Sequence, residues 1–108
     1  MKARRHPIDR LFSLIKSRKG RDANKSYTAE LLKAGVERCA RKFGEESLEA
    51  ALAAVAGNEK EIAAESADVL YHLLVLWAAC GIAPKDVYTV LAAREGRSGH
   101  EEKASRKR

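Results

Sequence analysis

Lys42-Phe43-Gly44-Glu45-Glu46-Ser47-Leu48-Glu49 and, further on, Glu65-Ser66-Ala67-Asp68-Val69-Leu70-Tyr71-His72 decide how this chain reads. Both stretches lie in sequence with helical periodicity, where residues three or four apart stack on one side. At 100° per residue, Arg38, Lys42, Glu45, Glu46 and Glu49 share one sector of the first helix. Glu61, Glu65, Asp68 and His72 share one sector of the next. A short connection around Gly57 predicts that the two helices pack antiparallel, so that the acidic sectors face each other. Like charges at such range repel and resist losing water, which makes the arrangement costly unless something positive sits between them. A hard divalent cation suits it: Mg²⁺ takes oxygen ligands in octahedral geometry and leaves positions for water and substrate phosphate. One acidic cluster reads as a solvated face. Two on consecutive helices, the second flanked by Ile62, Val69, Leu70, Leu73, Leu74, Leu76 and Trp77, set a metal site beside the solvated face as an equal alternative.

Charge is laid out unevenly. Of a formal net charge of +6, residues 1–25 carry nine Lys/Arg against two Asp and residues 97–108 five against two Glu. The middle is acidic, seven basic against eleven acidic residues. Basic ends around an acidic centre suit a polyanion held by cations and metal together; they also suit nucleic acid. No aromatics interleave with the basic residues, and no zinc-finger or ribonucleoprotein-type motif is present, so a nucleic-acid partner is not expected. The 108 residues support one domain. No uninterrupted apolar run is long enough for a bilayer, and the basic start lacks the apolar core of a secretion signal. A cytoplasmic protein without membrane contact is expected. Cys39 and Cys80, isolated among apolar residues, read as buried small hydrophobes.

In chain order, Ile8, Leu11, Phe12 and Ile15 give one apolar face on a helix from Ile8 to about Lys19, with Pro7 at its start. Gly20 to Lys25 is turn-like. Ser26 caps a short helix from Tyr27 to Ala34, ended by Gly35, with Tyr27, Leu31 and Leu32 expected inward. A third helix runs from about Val36 to Ala56 and offers Phe43, Leu48, Ala51, Leu52 and Val55 away from its acids; Gly44 in its interior suggests a close approach or a tolerated surface glycine. Asn58 and Glu61 open a fourth helix as a capping box, and Gly81 stops it after Cys80. Its apolar arc exceeds half the circumference, more than one neighbour in a small bundle covers, which predicts a subunit interface. Pro84 starts a fifth helix to Glu95 with Val87, Val90 and Leu91 inward. The fold expected is all-α: a small bundle of about five helices over residues 1–96, completed by dimerisation, with a basic tail at 97–108.

Several segments together resemble the phosphoribosyl-ATP pyrophosphohydrolase family of histidine biosynthesis, within the all-α nucleotide pyrophosphohydrolases. They are Ser26-Tyr27-Thr28-Ala29-Glu30-Leu31-Leu32, Lys42-Phe43-Gly44-Glu45-Glu46, Glu65-Ser66-Ala67-Asp68-Val69-Leu70-Tyr71-His72-Leu73-Leu74, and Gly99-His100-Glu101-Glu102-Lys103-Ala104-Ser105-Arg106. The acids alone mark the wider superfamily; the Ser26 segment and the tail narrow it. The resemblance implies Mg²⁺-dependent hydrolysis of the small-molecule nucleotide phosphoribosyl-ATP to phosphoribosyl-AMP and pyrophosphate. It implies metal ligands at Glu46, Glu49, Glu65 and Asp68, with Glu45 as a further acid. Either Glu45 or Glu49 would be the general base. Lys42, Lys103 and Arg106 would meet phosphate, and a homodimer is expected. Lys42 pairing with Glu45 or Glu46 is the alternative for that lysine, and a structural role the alternative for His72. A related enzyme cleaving dUTP or other nucleoside triphosphates with the same four acids is the competing reading. Relatives are often fused to a cyclohydrolase; this length leaves no room for one, so a single activity is expected.

Overall fold

The computed structural model describes residues 5–96 and Gly99. Most of the expected tail, including His100, Lys103 and Arg106, lies outside the described residues. Five helices form: α1 (Pro7–Ser17), α2 (Tyr27–Ala34), α3 (Val36–Ala56), α4 (Glu59–Cys80) and α5 (Pro84–Ala93). There is no strand among the described residues. The all-α expectation holds, with α1 and α5 each ending two residues sooner than their periodicity suggested.

Local chemistry sets the boundaries. The Ser26 hydroxyl accepts from the Ala29 N–H at 3.1 Å and the Asn58 side chain from the Glu61 N–H at 3.1 Å, so each satisfies a donor that the first helical turn leaves free. At α5 the Asp86 carboxylate accepts from the Ala83 N–H at 2.9 Å, with Pro84 behind the cap. Gly57 ends α3 in the left-handed region (φ 77°), where a side chain would be strained, and its N–H reaches the Ala53 and Ala54 carbonyls. The turn from Gly57 to Asn58 is so short that α3 and α4 fold back on each other as a helical hairpin, the most extensive helix pairing in the fold. Helices α1 and α2 pack against α4, and α2 also touches α3. Helix α5 reaches α1, where the Tyr88 hydroxyl donates to Asp9 at 3.1 Å.

The core is small. Phe12, Ile15, Leu31, Cys39, Leu74 and Val75 form one buried cluster drawn from α1 to α4. Each such aliphatic side chain contributes about 1.5–3 kcal/mol by leaving water. Cys39 also donates its thiol to the Leu31 carbonyl at 3.3 Å, tying α3 to α2, and burial pushes that thiol's pKa up. Several expected inward positions turn out otherwise. Leu48, Leu52 and Val55 of α3 are 61%, 60% and 87% exposed, and Val90 and Leu91 of α5 also face solvent. Tyr27 is half-exposed and Cys80 exposed. The helical period fixes which residues share a face, whereas burial depends on a second element, and none among the described residues covers these side chains. Gly44 has open space where a side chain would be, so it serves no close approach here.

Contrary to the expectation from unbroken apolar runs, α4 is long and apolar enough, by length and composition, to cross a membrane. Averaging over the helix lets its few acids be outweighed by the run after Asp68. In this fold it is the helix against which α1, α2 and α3 all pack.

Candidate metal and nucleotide site

The α3–α4 hairpin brings together acids that the chain holds on separate helices. One carboxylate oxygen each from Glu46, Glu49 and Glu65 lies within 4.8 Å of the others. Glu46 and Glu65 are half-buried and Glu49 is exposed. A shallow cavity of about 270 Å³ adjoins them, lined by Glu49, Glu61 and Glu65 and floored by Leu52, Ala53 and Ala56. Asp68 stands outside the set of three, one turn along α4 from Glu65, yet near enough for its charge to act on both Glu46 and Glu65.

The electrostatics carry the mark of negative charge without compensation. Burial pushes the Glu65 pKa up, and the charges of Glu49, Asp68 and Glu61 push it further. Glu46 is raised by burial first, then by a hydrogen bond and charge from Glu49, with Lys42 pulling the other way. Glu65 Oε2 is buried and has no hydrogen-bond partner. A buried, orphaned carboxylate oxygen beside two more carboxylates is a donor set for a hard cation: all oxygen, several charges, room for further ligands. The residues present thus fit a divalent metal ion.

Glu45 leaves this set. Its carboxylate accepts from the Lys42 ammonium at 3.3 Å, the pairing within α3 that competes with a phosphate role for Lys42, and this bond is the main cause of the raised Lys42 pKa. Beyond Lys42 comes an aromatic strip. His72 is 6% exposed, its Nδ1 lacks a partner, and the rings of Tyr71 (centroids 4.9 Å apart) and Tyr27 (6.1 Å) meet it edge-on. Burial holds its pKa below the ordinary histidine value, helped by Lys42 and opposed by Asp68 and Glu45. A hydroxyl–hydroxyl bond between Thr28 and Tyr71 fastens the start of α2 to α4. From sequence Tyr27 is expected to pack inward, and neither Thr28 nor Tyr71 stands out on its own. The available signal was spacing: Tyr71 follows Asp68 by three residues and so shares its side of the helix.

Comparison with known proteins shows the family. The model of the family "Phosphoribosyl-ATP pyrophosphohydrolase" matches residues 8–95. A protein of Parvibaculum lavamentivorans named phosphoribosyl-ATP pyrophosphatase is 57% identical over 99 residues, covering 92% of this chain and 91% of its own length. One of the same name from Paramagnetospirillum magneticum is 52% identical over 99 residues, covering 92% and 91%. Another, from Gluconobacter oxydans, is 50% identical over 99 residues, covering 92% and 74%. With its acids gathered on the α3–α4 hairpin and a family match over nearly its whole length, the chain belongs to the phosphoribosyl-ATP pyrophosphohydrolase family of hydrolases.

Proposed function

We propose that this protein hydrolyses phosphoribosyl-ATP to phosphoribosyl-AMP and pyrophosphate in the cytoplasm, with Mg²⁺, as the second step of histidine biosynthesis. The observation that carries the reading is the trio of carboxylate oxygens within 4.8 Å of one another, contributed by two helices of a single hairpin. Glu46, Glu49, Glu65 and Asp68 would hold the ion. Its contribution when bound is positive charge against the polyphosphate and a more acidic water.

The chain's own groups do the rest. Hydrolysis adds water across the anhydride between the α- and β-phosphates: one product keeps the bridging oxygen, the other gains the hydroxyl, and one proton must be taken up. Glu49, exposed beside the cavity, and Glu45, one turn earlier, are the candidate acceptors. Lys42 and Glu45 are coupled through their hydrogen bond. When the ammonium swings to the departing pyrophosphate, the Glu45 carboxylate is released to accept a proton. Lys103 and Arg106 would close over the phosphates from the tail.

We also propose a homodimer. Leu48, Leu52 and Val55 along α3, together with Leu70 of α4, are large apolar side chains left exposed, and clustered exposure of that kind marks interaction surfaces. A second copy would cover it.

Pyrophosphate release from phosphoribosyl-ATP, measured beside a panel of ordinary nucleoside triphosphates with and without Mg²⁺, tests the reading. Turnover of phosphoribosyl-ATP that stops on chelation is expected. Cleavage of dUTP alone would overturn it.

A further inference from the structure

The acid cluster accounts for one end of the substrate. Phosphoribosyl-ATP differs from ATP by a ribose 5-phosphate on the adenine, so it carries a second, separate phosphate. The two ends demand different chemistry: the triphosphate tolerates acids through a metal, whereas a lone phosphate monoester needs donors directly.

A cavity of about 300 Å³ lies between the end of α1 and the start of α2, lined by Arg18, Lys25, Ser26, Tyr27, Thr28 and Tyr71 over an aliphatic floor from α1. No carboxylate lines it. Neither Arg18 nor Lys25 has an acidic partner within 4.0 Å among the described residues, where the ion pairs are Arg38–Glu30 and Lys42–Glu45. Two cations held near one opening without counter-charge repel each other, and an anion between them removes that cost. The Thr28 and Tyr71 hydroxyls share one hydrogen bond, which uses one of their two protons and leaves the other to donate outward. The Ala29 N–H is taken by the Ser26 hydroxyl, whereas those of Tyr27 and Thr28, also in the first turn of α2, have no intrahelical acceptor. The lining thus offers donors and positive charge, which matches a phosphate dianion.

Its position completes the case. Tyr71 sits three residues past Asp68, about 4.5 Å along the α4 axis at 1.5 Å per residue. The rings of Tyr27 and Tyr71, which line the cavity, meet His72, one turn past Asp68 on α4. We infer that this cavity, through Arg18, Lys25, Thr28 and Tyr71, binds the 5′-phosphate of the substrate's second ribose and so separates phosphoribosyl-ATP from ordinary nucleoside triphosphates. The inference rests on the function proposed above, and its test is arranged so that the two fail differently.

The full chain is titrated calorimetrically with ribose 5-phosphate, a probe that needs no turnover, in the wild type and in the double variant Arg18→Gln/Lys25→Gln. Lys19→Gln/Lys33→Gln removes the same charge beside a different cavity and controls for the overall field. Two charge-assisted contacts predict about ten- to a hundredfold weaker binding in the first variant and little change in the control. In turnover, KM for phosphoribosyl-ATP rises by the same factor while kcat and inhibition by pyrophosphate, a probe of the metal end, stay as they were. No heat with ribose 5-phosphate in the wild type, equal loss in the control, or equal weakening of ribose 5-phosphate binding and pyrophosphate inhibition would overturn the inference. Absence of turnover in a wild type that binds ribose 5-phosphate as expected would instead strike the proposed function.

Discussion

Replacing Glu46 by glutamine keeps its size and removes one charge from the group whose oxygens lie within 4.8 Å of one another. Two unit charges at that separation repel by about 1 kcal/mol in bulk water and by about 3.5 kcal/mol at an effective dielectric of about 20. Half-exposure of the Glu46 side chain places the relief near the lower figure. At roughly 4 °C per kcal/mol for a domain of this length, the variant melts about 4 °C above the wild type when no divalent ion is present. With Mg²⁺ at about a hundred times its Kd the order reverses. The wild type gains about 2.7 kcal/mol, or about 11 °C. A variant binding a hundredfold more weakly gains about 0.4 kcal/mol, or about 2 °C. Thermal unfolding followed by circular dichroism, with and without Mg²⁺, reads this crossing directly. Pure structural damage would lower both melting points together; that result, or an undiminished Mg²⁺ response in the variant, refutes the metal assignment.

The same acids set a pH dependence. Glu46 and Glu65 have folded-state pKa values raised above the ordinary carboxylate value of about 4.3. Between that value and the raised ones the folded chain binds more protons than the unfolded chain, so their contribution favours folding at low pH and is lost as pH rises through the raised values. His72 acts oppositely: its lowered pKa makes folding less favourable as pH falls below the ordinary histidine value. Subtracting the Glu46→Gln melting profile from that of the wild type isolates the carboxylate share. Wild-type stability without Mg²⁺ falls faster with rising pH than that of the variant.

Three further outcomes are expected. Leu31→Ala, at a fully buried site in contact with the whole core cluster, costs about 3–4 kcal/mol and lowers the melting point by more than 10 °C in a thermal scan. Leu48→Glu, at an exposed position of α3 outside the lining of the acid cavity, leaves the melting of an isolated chain little changed but shifts sedimentation from dimer to monomer. Tyr71→Phe removes the hydroxyl bond to Thr28 and loosens the start of α2 from α4, at about 1 kcal/mol in denaturant unfolding.

Much of the fold was legible because its punctuation is local. Ser26, Gly35, Gly57, Asn58, Gly81 and Pro84 act on the backbone within a turn, and the bounds of α2, α3 and α4 follow from them. The gathering of Glu46, Glu49 and Glu65 was legible for a related reason: period and a short turn suffice to oppose two faces. What covers a face is a different matter. Leu48, Leu52, Val90 and Leu91 have the pattern of packed residues, and the pattern cannot say that no described element covers them. Glu45 and Asp68 show the corresponding limit at the site. Sharing a sector with the clustered acids did not decide that Glu45 would turn to Lys42, because rotamers and competing partners act below the resolution of a helical wheel. The basic cavity beside Thr28 was invisible for a third reason, since its lining comes from α1, α2 and α4 at once.

The two-residue turn at Gly57–Asn58 governs the order of assembly as well as the final geometry. Glu49 and Glu65 are sixteen residues apart along the chain, so their loop closes at little entropic cost and ahead of the contacts that bring α1 onto α4. A nascent chain therefore meets its mutual repulsion early, while the hydrophobic cluster that offsets it is still incomplete. Divalent ions in the surrounding solution would ease that passage, giving the proposed metal ion a second part as an accelerant of folding.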